Sequence, residues 1–237
     1  MSVAFHPAGD LAVLVELDGE IGNALNLRLR ALESLIIDRI TGVTETVPAF
    51  RTLLVYYDPR STRYEPLCDS IAQLFAEAES AVLPPSRVVE LPCCYEDAQL
   101  GFDLEKVAER LSLTAAELIA LHTGAEYLVY FIGFAPGQPY LTGTPERLII
   151  PRLETPRTTT PPGSVAIGGT QSCVYAVESP GGFWVLGRTP VPIYDPKAEQ
   201  PTLLRPGDRL RFRAVDRPEY DRIAASVGAR SYRPVIA

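Results

Sequence analysis

The residues of this chain that could do chemistry cluster in the turns of its second half. The run Gly133-Phe134-Ala135-Pro136-Gly137-Gln138-Pro139-Tyr140-Leu141 combines residues that fix the backbone with residues that free it. Proline holds φ and glycine permits positive φ, so such a loop is stiff and its backbone can come close to a ligand. Downstream stand Pro151-Arg152 and Pro156-Arg157, then Pro161-Pro162-Gly163-Ser164-Val165, Ser179-Pro180-Gly181-Gly182-Phe183-Trp184 and Gly187-Arg188-Thr189-Pro190. Three arginines and neighbouring hydroxyls on rigid loops suit a carboxylate or a phosphate. Ordinary turns with solvated arginines account for the same residues equally well. His122 is the one imidazole placed to act as a base, although the end of an expected helix also favours it through the dipole alone. The patterns GxxxxGK[ST], GxSxG and HExxH are absent, so the sequence offers no P-loop, nucleophile elbow or helical zinc pair.

These loops need a scaffold, and the apolar spacing supplies one. Residues 10–17 read as a strand. From Ile21, apolar residues recur every three or four positions through Leu25, Leu29, Leu32, Ile36 and Ile40, which predicts an amphipathic helix ended by Gly42. Val43–Val47 and Thr52–Tyr57 read as strands, and Thr62-x-x-Glu65 as a capping box for a second helix that buries Leu67, Ile71, Leu74, Phe75 and Ala78. Leu83-Pro84-Pro85-Ser86 reads as a linker. Residues 1–83 are therefore expected to form a small β-α-β-β-α domain.

Beyond the linker, Arg87–Leu91 is an expected strand, Asp103–Leu111 and Thr114–His122 short helices, and Tyr127–Ile132 another strand. Seven prolines between Pro136 and Pro162 leave no room for a helix. Later runs (Ser164–Ile167, Val174–Val177, Phe183–Leu186 and Arg209–Arg213) alternate with Gly and Pro turns, as in a small β-barrel or sandwich. The expected fold class is α+β, with a second, mostly β domain over 87–237.

Composition narrows the function classes. The chain carries 22 basic and 29 acidic residues, a net charge of −7, which gives no basic field for nucleic acid. The longest apolar runs, such as Tyr127–Phe134, fall far short of the ~20 residues of a membrane helix, and Met1–Asp10 lacks the pattern of a signal peptide. The cysteines Cys68, Cys93, Cys94 and Cys173 form no CxxC and have no metal-ligand spacing to His6 or His122. Reduced thiols in a cytoplasmic protein, with no metal site, are expected.

Taken in order, Gly133–Leu141, Pro151-Arg152, Pro156-Arg157, Pro162–Val165, Ser179–Gly182 and Gly187–Pro190 closely resemble the 5-oxoprolinase B-subunit family, also called allophanate hydrolase subunit 1 or the Kip sporulation-kinase-inhibitor family. Leu91-Pro-Cys-Cys-Tyr95, Asp103-Leu104, His122, Glu126-Tyr127 and Pro206-Gly-Asp208 also fit, so the resemblance spans roughly residues 5–215. It implies an N-terminal α+β domain followed by a cyclophilin-like β-barrel. It implies partners as well: a related barrel subunit, of the C type, and a decyclising subunit of the A type. Together these form an ATP-dependent 5-oxoprolinase that opens 5-oxoproline to glutamate, with ATP and Mg bound in the complex and this chain inactive alone. Other branches of the family inhibit a sporulation histidine kinase, or form the carboxyltransferase part of urea carboxylase, which takes biotin.

The resemblance implies a mechanism that phosphorylates the amide oxygen before water attacks, in which Arg157 and Arg188 are expected as anion clamps. Tyr140 and Ser164 then orient the substrate, the loop with Gly133, Phe134, Pro136 and Gly137 is expected to supply backbone donors, and Gly163 and Thr189 complete the substrate- and anion-binding set. His122 is an acid/base candidate or an interface residue. Three positions depart from the family pattern: Gln138 replaces an aromatic residue, Cys173 a small one, and Phe183 interrupts a Gly-Gly-Trp turn.

Overall fold

A computed structural model describes residues 2–81 and 83–237. Met1 and Val82, which fall within the domain expected over 1–83, lie outside the described residues. The chain divides into two compact units, Met1–Pro85 and Ser86–Ala237.

The first unit runs β1 (Val3–Pro7), β2 (Ala12–Leu17), α1 (Asn23–Arg39), β3 (Val43–Pro48), β4 (Thr52–Tyr57) and α2 (Tyr64–Glu77). Its antiparallel sheet has the order β1-β2-β4-β3. The pleat turns Val13, Val15, Leu17, Leu53, Val55 and Tyr57 to one face. There they pack with Leu25, Leu29, Leu32 and Ile36 of α1 and Leu67, Ile71, Leu74 and Phe75 of α2. β1 is an addition to the expected order. This edge strand leaves Ala4, His6 and Pro7 exposed, so its apolar signal is weak. Ile21 is exposed, since α1 begins only at Asn23. The Thr62–Glu65 capping box does not form. Thr62 donates its N–H back to Asp58 in a turn, so Arg63 becomes the N-cap and Pro66, which has no N–H to satisfy, enters the first turn.

The second unit runs β5 (Val88–Cys93), α3 (Leu104–Arg110), α4 (Ala115–Thr123), β6 (Tyr127–Ile132), β7 (Pro139–Thr142), a single 3₁₀ turn (Glu146–Leu148), β8 (Arg157–Thr160), β9 (Ser164–Gly168), β10 (Gln171–Val174), β11 (Ser179–Gly181), β12 (Trp184–Arg188), β13 (Arg209–Ala214), α5 (Arg217–Gly228) and β14 (Val235–Ile236). The expected Thr114–Glu117 capping box is present at α4. β10 lies three residues earlier than the Val174–Val177 strand expected. Eight strands form one sheet in the order β12-β9-β10-β7-β6-β13-β5-β14, and β8 pairs with β11 separately.

The spacing left a barrel or a sandwich open and the resemblance implied a cyclophilin-like barrel; the sheet that forms does not close. β14 pairs with β5 through Glu90 and Val89 and so occupies the edge that closure would need. The far strand β12 reaches β5 only past its end, through one bridge between Cys94 and Arg188. The curled sheet wraps a core of Val89, Leu91, Val129, Val165, Ile167, Leu186 and Phe212, covered by Leu104 and Val107 of α3 and Leu118 of α4. Pro206-Gly-Asp208 is a structural turn. Gly207 donates to Val129, and the Asp208 carboxylate accepts from Arg87 and from the Arg205 N–H.

Candidate functional site

A cavity of about 270 Å³ opens beside β7 and β10 of the second unit, lined by Phe134, Gln138, Tyr140, Arg152, Pro156, Cys173, Tyr175 and the turn Pro180–Phe183. The stiff loop read from the sequence builds one wall. Gly133 donates its N–H to the Gln138 carbonyl and Gln138 donates to Ala135, which closes the loop on itself. Gly137, at φ +73°, packs against the Tyr194 ring so closely that a Cβ would lie 2.7 Å from the Tyr194 Cβ. The Gly133 N–H is thus spent inside the loop rather than offered to a ligand. Phe134 takes a left-handed conformation, φ 69°, and leaves its ring 65% exposed. Tyr140 is stacked on Phe131 at 4.3 Å.

The opposite wall depends on a second set of contacts. Arg152 lies over the Phe183 ring at 4.7 Å and donates to Gln171 Oε1 at 3.0 Å. The turn carrying Phe183 is held by Arg157, which donates to the Phe183 carbonyl and pairs with Asp103 at 2.6 Å. Asp103 also accepts the Val185 N–H, which joins the start of α3 to β12. At Gly181 any Cβ would sit 1.9 Å from the Tyr175 hydroxyl, so the wall is closed here by the absence of a side chain.

Burial sets the protonation of the lining groups. It pushes the Tyr140 hydroxyl up, partly offset by the nearby Arg152 charge. It raises Tyr175 to about 12 and the Cys173 thiol above its usual range. All three stay protonated near neutral pH. The tyrosines are hydrogen-bond donors rather than bases, and Cys173 is no nucleophile. Among the described residues Arg152 is the only charged one in the lining.

The structure separates the residues grouped at the outset. Phe134 and Tyr140 line the cavity; Gly133, Pro136 and Gly137 shape its loop from behind. Arg157, expected as an anion clamp, is neutralised by Asp103 and acts as a positioning residue for the Phe183 turn. Gly163, Ser164, Arg188 and Thr189 lie at the ends of β9 and β12 and line none of the cavity. There Ser164 pairs with Arg188 across the strands, the Ser164 hydroxyl is fully buried without a hydrogen-bond partner among the described residues, and Thr189 Oγ1 accepts the Val191 N–H.

His122 is corrected more sharply. It is 0% exposed in the core, packed between Tyr127 and Phe212, with Nδ1 2.9 Å from the Tyr95 hydroxyl. Burial lowers its pKa to about 3, which leaves it neutral and unsuited to acid/base work near pH 7. The lining residues passed over as site residues include Arg152 and Tyr175 together with Gln138, Cys173 and Phe183, the three departures from the family pattern. Departure from that pattern was the signal available for the last three, and their meeting at one cavity was hidden because they lie far apart in sequence.

The cavity does not fit a nucleotide. It is smaller than the ~300–1,000 Å³ typical of drug-sized sites and offers one cation to a triphosphate. Among the described residues no group of three or more His, Cys, Asp or Glu could hold a metal ion, and no helix is long and apolar enough to cross a membrane.

The class the fold and pocket define is a curled-sheet domain with an aromatic pocket whose one charged lining residue, among the described residues, is Arg152. Residues 3–204 match the family model for carboxyltransferase domain, subdomain C and D. The B subunit of 5-oxoprolinase from Bacillus subtilis is 36% identical over 223 residues, covering 90% of this chain and 92% of that protein. The chain belongs to the 5-oxoprolinase B-subunit family. It is also 28% identical over 257 residues to a urea amidolyase from Lachancea kluyveri, covering 93% of this chain but 14% of that protein. The solved structure of TTHA0988 superposes with a TM-score of 0.75 at 37% identity, covering 86% of this chain and 40% of that one.

Proposed function

We propose that this chain is one component of an ATP-dependent 5-oxoprolinase that opens 5-oxoproline to glutamate. The observation that carries this reading is the near full-length similarity to the B subunit of 5-oxoprolinase. The site supports a protein that does not act alone. Opening a lactam requires activation of the amide oxygen and a water to attack the carbonyl carbon. Among the described residues the cavity holds binding groups, but no general base and no cradle for phosphates. Arg152, Tyr140 and Gln138 bind and orient the substrate, while the nucleotide and its Mg²⁺ are held with residues of a C-type barrel partner and an A-type decyclising partner. The four free thiols support a reducing, cytoplasmic setting.

The test is reconstitution of the three subunits, following glutamate formed from 5-oxoproline. ATP-dependent glutamate that vanishes when this chain is omitted is the expected result; its absence from an assembled complex overturns the reading. A carboxyltransferase acting on a urea-like amide is the second reading. It is favoured by the family description and the urea amidolyase similarity, and biotin-dependent carboxylation by the assembled complex would establish it instead.

A further inference from the structure

We propose that Arg152 and Gln138 together read the ligand of this cavity, Arg152 taking a carboxylate and Gln138 Oε1 accepting an N–H from the same small ring. The choice of 5-oxoproline as that ring rests on the 5-oxoprolinase reading; the recognition chemistry rests on the cavity itself.

Two observations converge. Among the described residues the cavity has one charged lining side chain, Arg152, and no acidic one. No carboxylate of the described residues forms an ion pair with Arg152, which instead contacts the Phe183 ring and Gln171 Oε1. A guanidinium has five N–H donors in a rigid fork, so one bond to Gln171 leaves donors for a bidentate carboxylate. Arg152 is exposed, and its stack on Phe183 and hydrogen bond to Gln171 orient the fork toward the cavity. Gln138 supplies the second observation. It is only 6% exposed and lines the cavity, and its Oε1 has no hydrogen-bond partner among the described residues. A buried acceptor left unpaired is costly, and a ligand N–H directed at it removes the cost.

The walls limit the rest of the ligand. Phe134, Tyr140, Tyr175 and Phe183 give aromatic surface around about 270 Å³ of space, enough for a compact ring and little more. A ligand with an N–H but no anionic group leaves Arg152 unmatched. One with a carboxylate but a ring oxygen in place of the N–H sets two acceptors against each other at Gln138. Discrimination therefore comes as much from repulsion as from attraction.

The experiment is calorimetric titration of the full chain, and of the assembled complex, with three probes: 5-oxoproline, 2-pyrrolidinone, which lacks the carboxylate, and 5-oxotetrahydrofuran-2-carboxylate, the lactone in which oxygen replaces the N–H. In the wild type each analogue should bind at least about tenfold more weakly than 5-oxoproline, the scale of one charge-assisted or buried hydrogen bond. Gln138→Leu should abolish the preference for lactam over lactone and keep the need for a carboxylate. Arg152→Gln should abolish the need for a carboxylate and keep the lactam preference.

Equal binding of lactone and lactam by the wild type overturns the role of Gln138 without recourse to a variant. No binding of 5-oxoproline by either the chain or the complex overturns the whole proposal. A complex that shows this pattern of preferences yet makes no glutamate overturns the proposed reaction and upholds the recognition.

Discussion

At the pocket beside β7 and β10 an arginine, a glutamine and four aromatic rings face open space. At the corner where β9 meets β12 an arginine, a serine and a threonine of the same rigid-turn type are folded into strand ends. Both corners carry the Pro/Gly turns that suggest a ligand site. They differ in what the neighbouring strands do with the backbone. At the β9–β12 corner, Arg188 exchanges both backbone hydrogen bonds with Cys94 and Thr189 donates to Gly163, so the turns are consumed in tying the end of β12 to the residue that follows β5 and to the turn before β9. At the pocket, the Gly133–Gln138 loop closes on itself through its backbone and leaves the Phe134 and Gln138 side chains to line the cavity. The contrast between Arg152 and Arg157, five residues apart, repeats the lesson. One has no carboxylate partner among the described residues; the other is tied to Asp103. A rigid loop presents chemistry only when its polar groups are left over from construction.

That comparison can be broken in several ways, and the largest effect is expected at Arg157. Arg157→Met strands the Asp103 carboxylate, which is 5% exposed. It should lower stability by about 3 kcal/mol, the scale of removing one partner of a buried ion pair, whereas Arg152→Gln should move stability by less than about 0.5 kcal/mol. Urea unfolding midpoints of the two variants decide the matter, and equal losses would erase the distinction drawn between the two arginines.

Next in size is Gly181→Ala. Its methyl would meet the Tyr175 hydroxyl at 1.9 Å, and relieving the overlap should cost about 1–3 kcal/mol while narrowing the pocket. A melting temperature equal to wild type, with ligand binding retained, would show that the wall is softer than drawn.

His122 tests the core beneath both corners. Its folded pKa of about 3 lies below the ordinary 6.5. Between those values the unfolded chain binds a proton that the folded chain refuses. Stability should therefore fall as pH drops below 6.5, by about 1.4 kcal/mol per unit from this group. The difference between wild type and His122→Gln in urea titrations from pH 7 to pH 4 isolates that slope, and a difference that stays constant with pH removes the assignment.

The smallest effect is expected at Ser164→Ala. The hydroxyl is buried and unpartnered among the described residues, so its removal should be neutral within about 0.5 kcal/mol or slightly stabilising. A loss well beyond that would reveal a hydrogen bond at the β9–β12 corner and make it more than a joint.

The sequence by itself determined the local elements wherever period and burial agree. α1 buries Leu25, Leu29, Leu32 and Ile36 but not Ile21, α2 buries Leu67, Ile71, Leu74 and Phe75, β6 has the limits its apolar run suggests, and the Thr114 capping box forms. The Gly/Pro loop near residue 137 was legible as stiff because proline and glycine act on their own backbone. Thr62 failed as a cap because a turn from Asp58 took its N–H first. α5 carries its start signals in Asp216, Pro218 and Glu219 and a short apolar spacing in Tyr220, Ile223 and Val227, but it buries only Ile223 fully, so the signal is weak.

Tertiary structure alone decided the rest, because these outcomes depend on which distant groups meet. Arg157 is engaged in an ion pair with Asp103, 54 residues away in sequence. His122 lost its proton affinity to burial among Tyr95, Tyr127 and Phe212. The barrel stayed open because the last strand, β14, paired with β5. Gln138, Cys173 and Phe183 became one surface because β7, β10 and the turn before β12 converge on a single cavity. Charge neutralisation, desolvation and strand pairing act through space, and spacing along the chain carries no record of them.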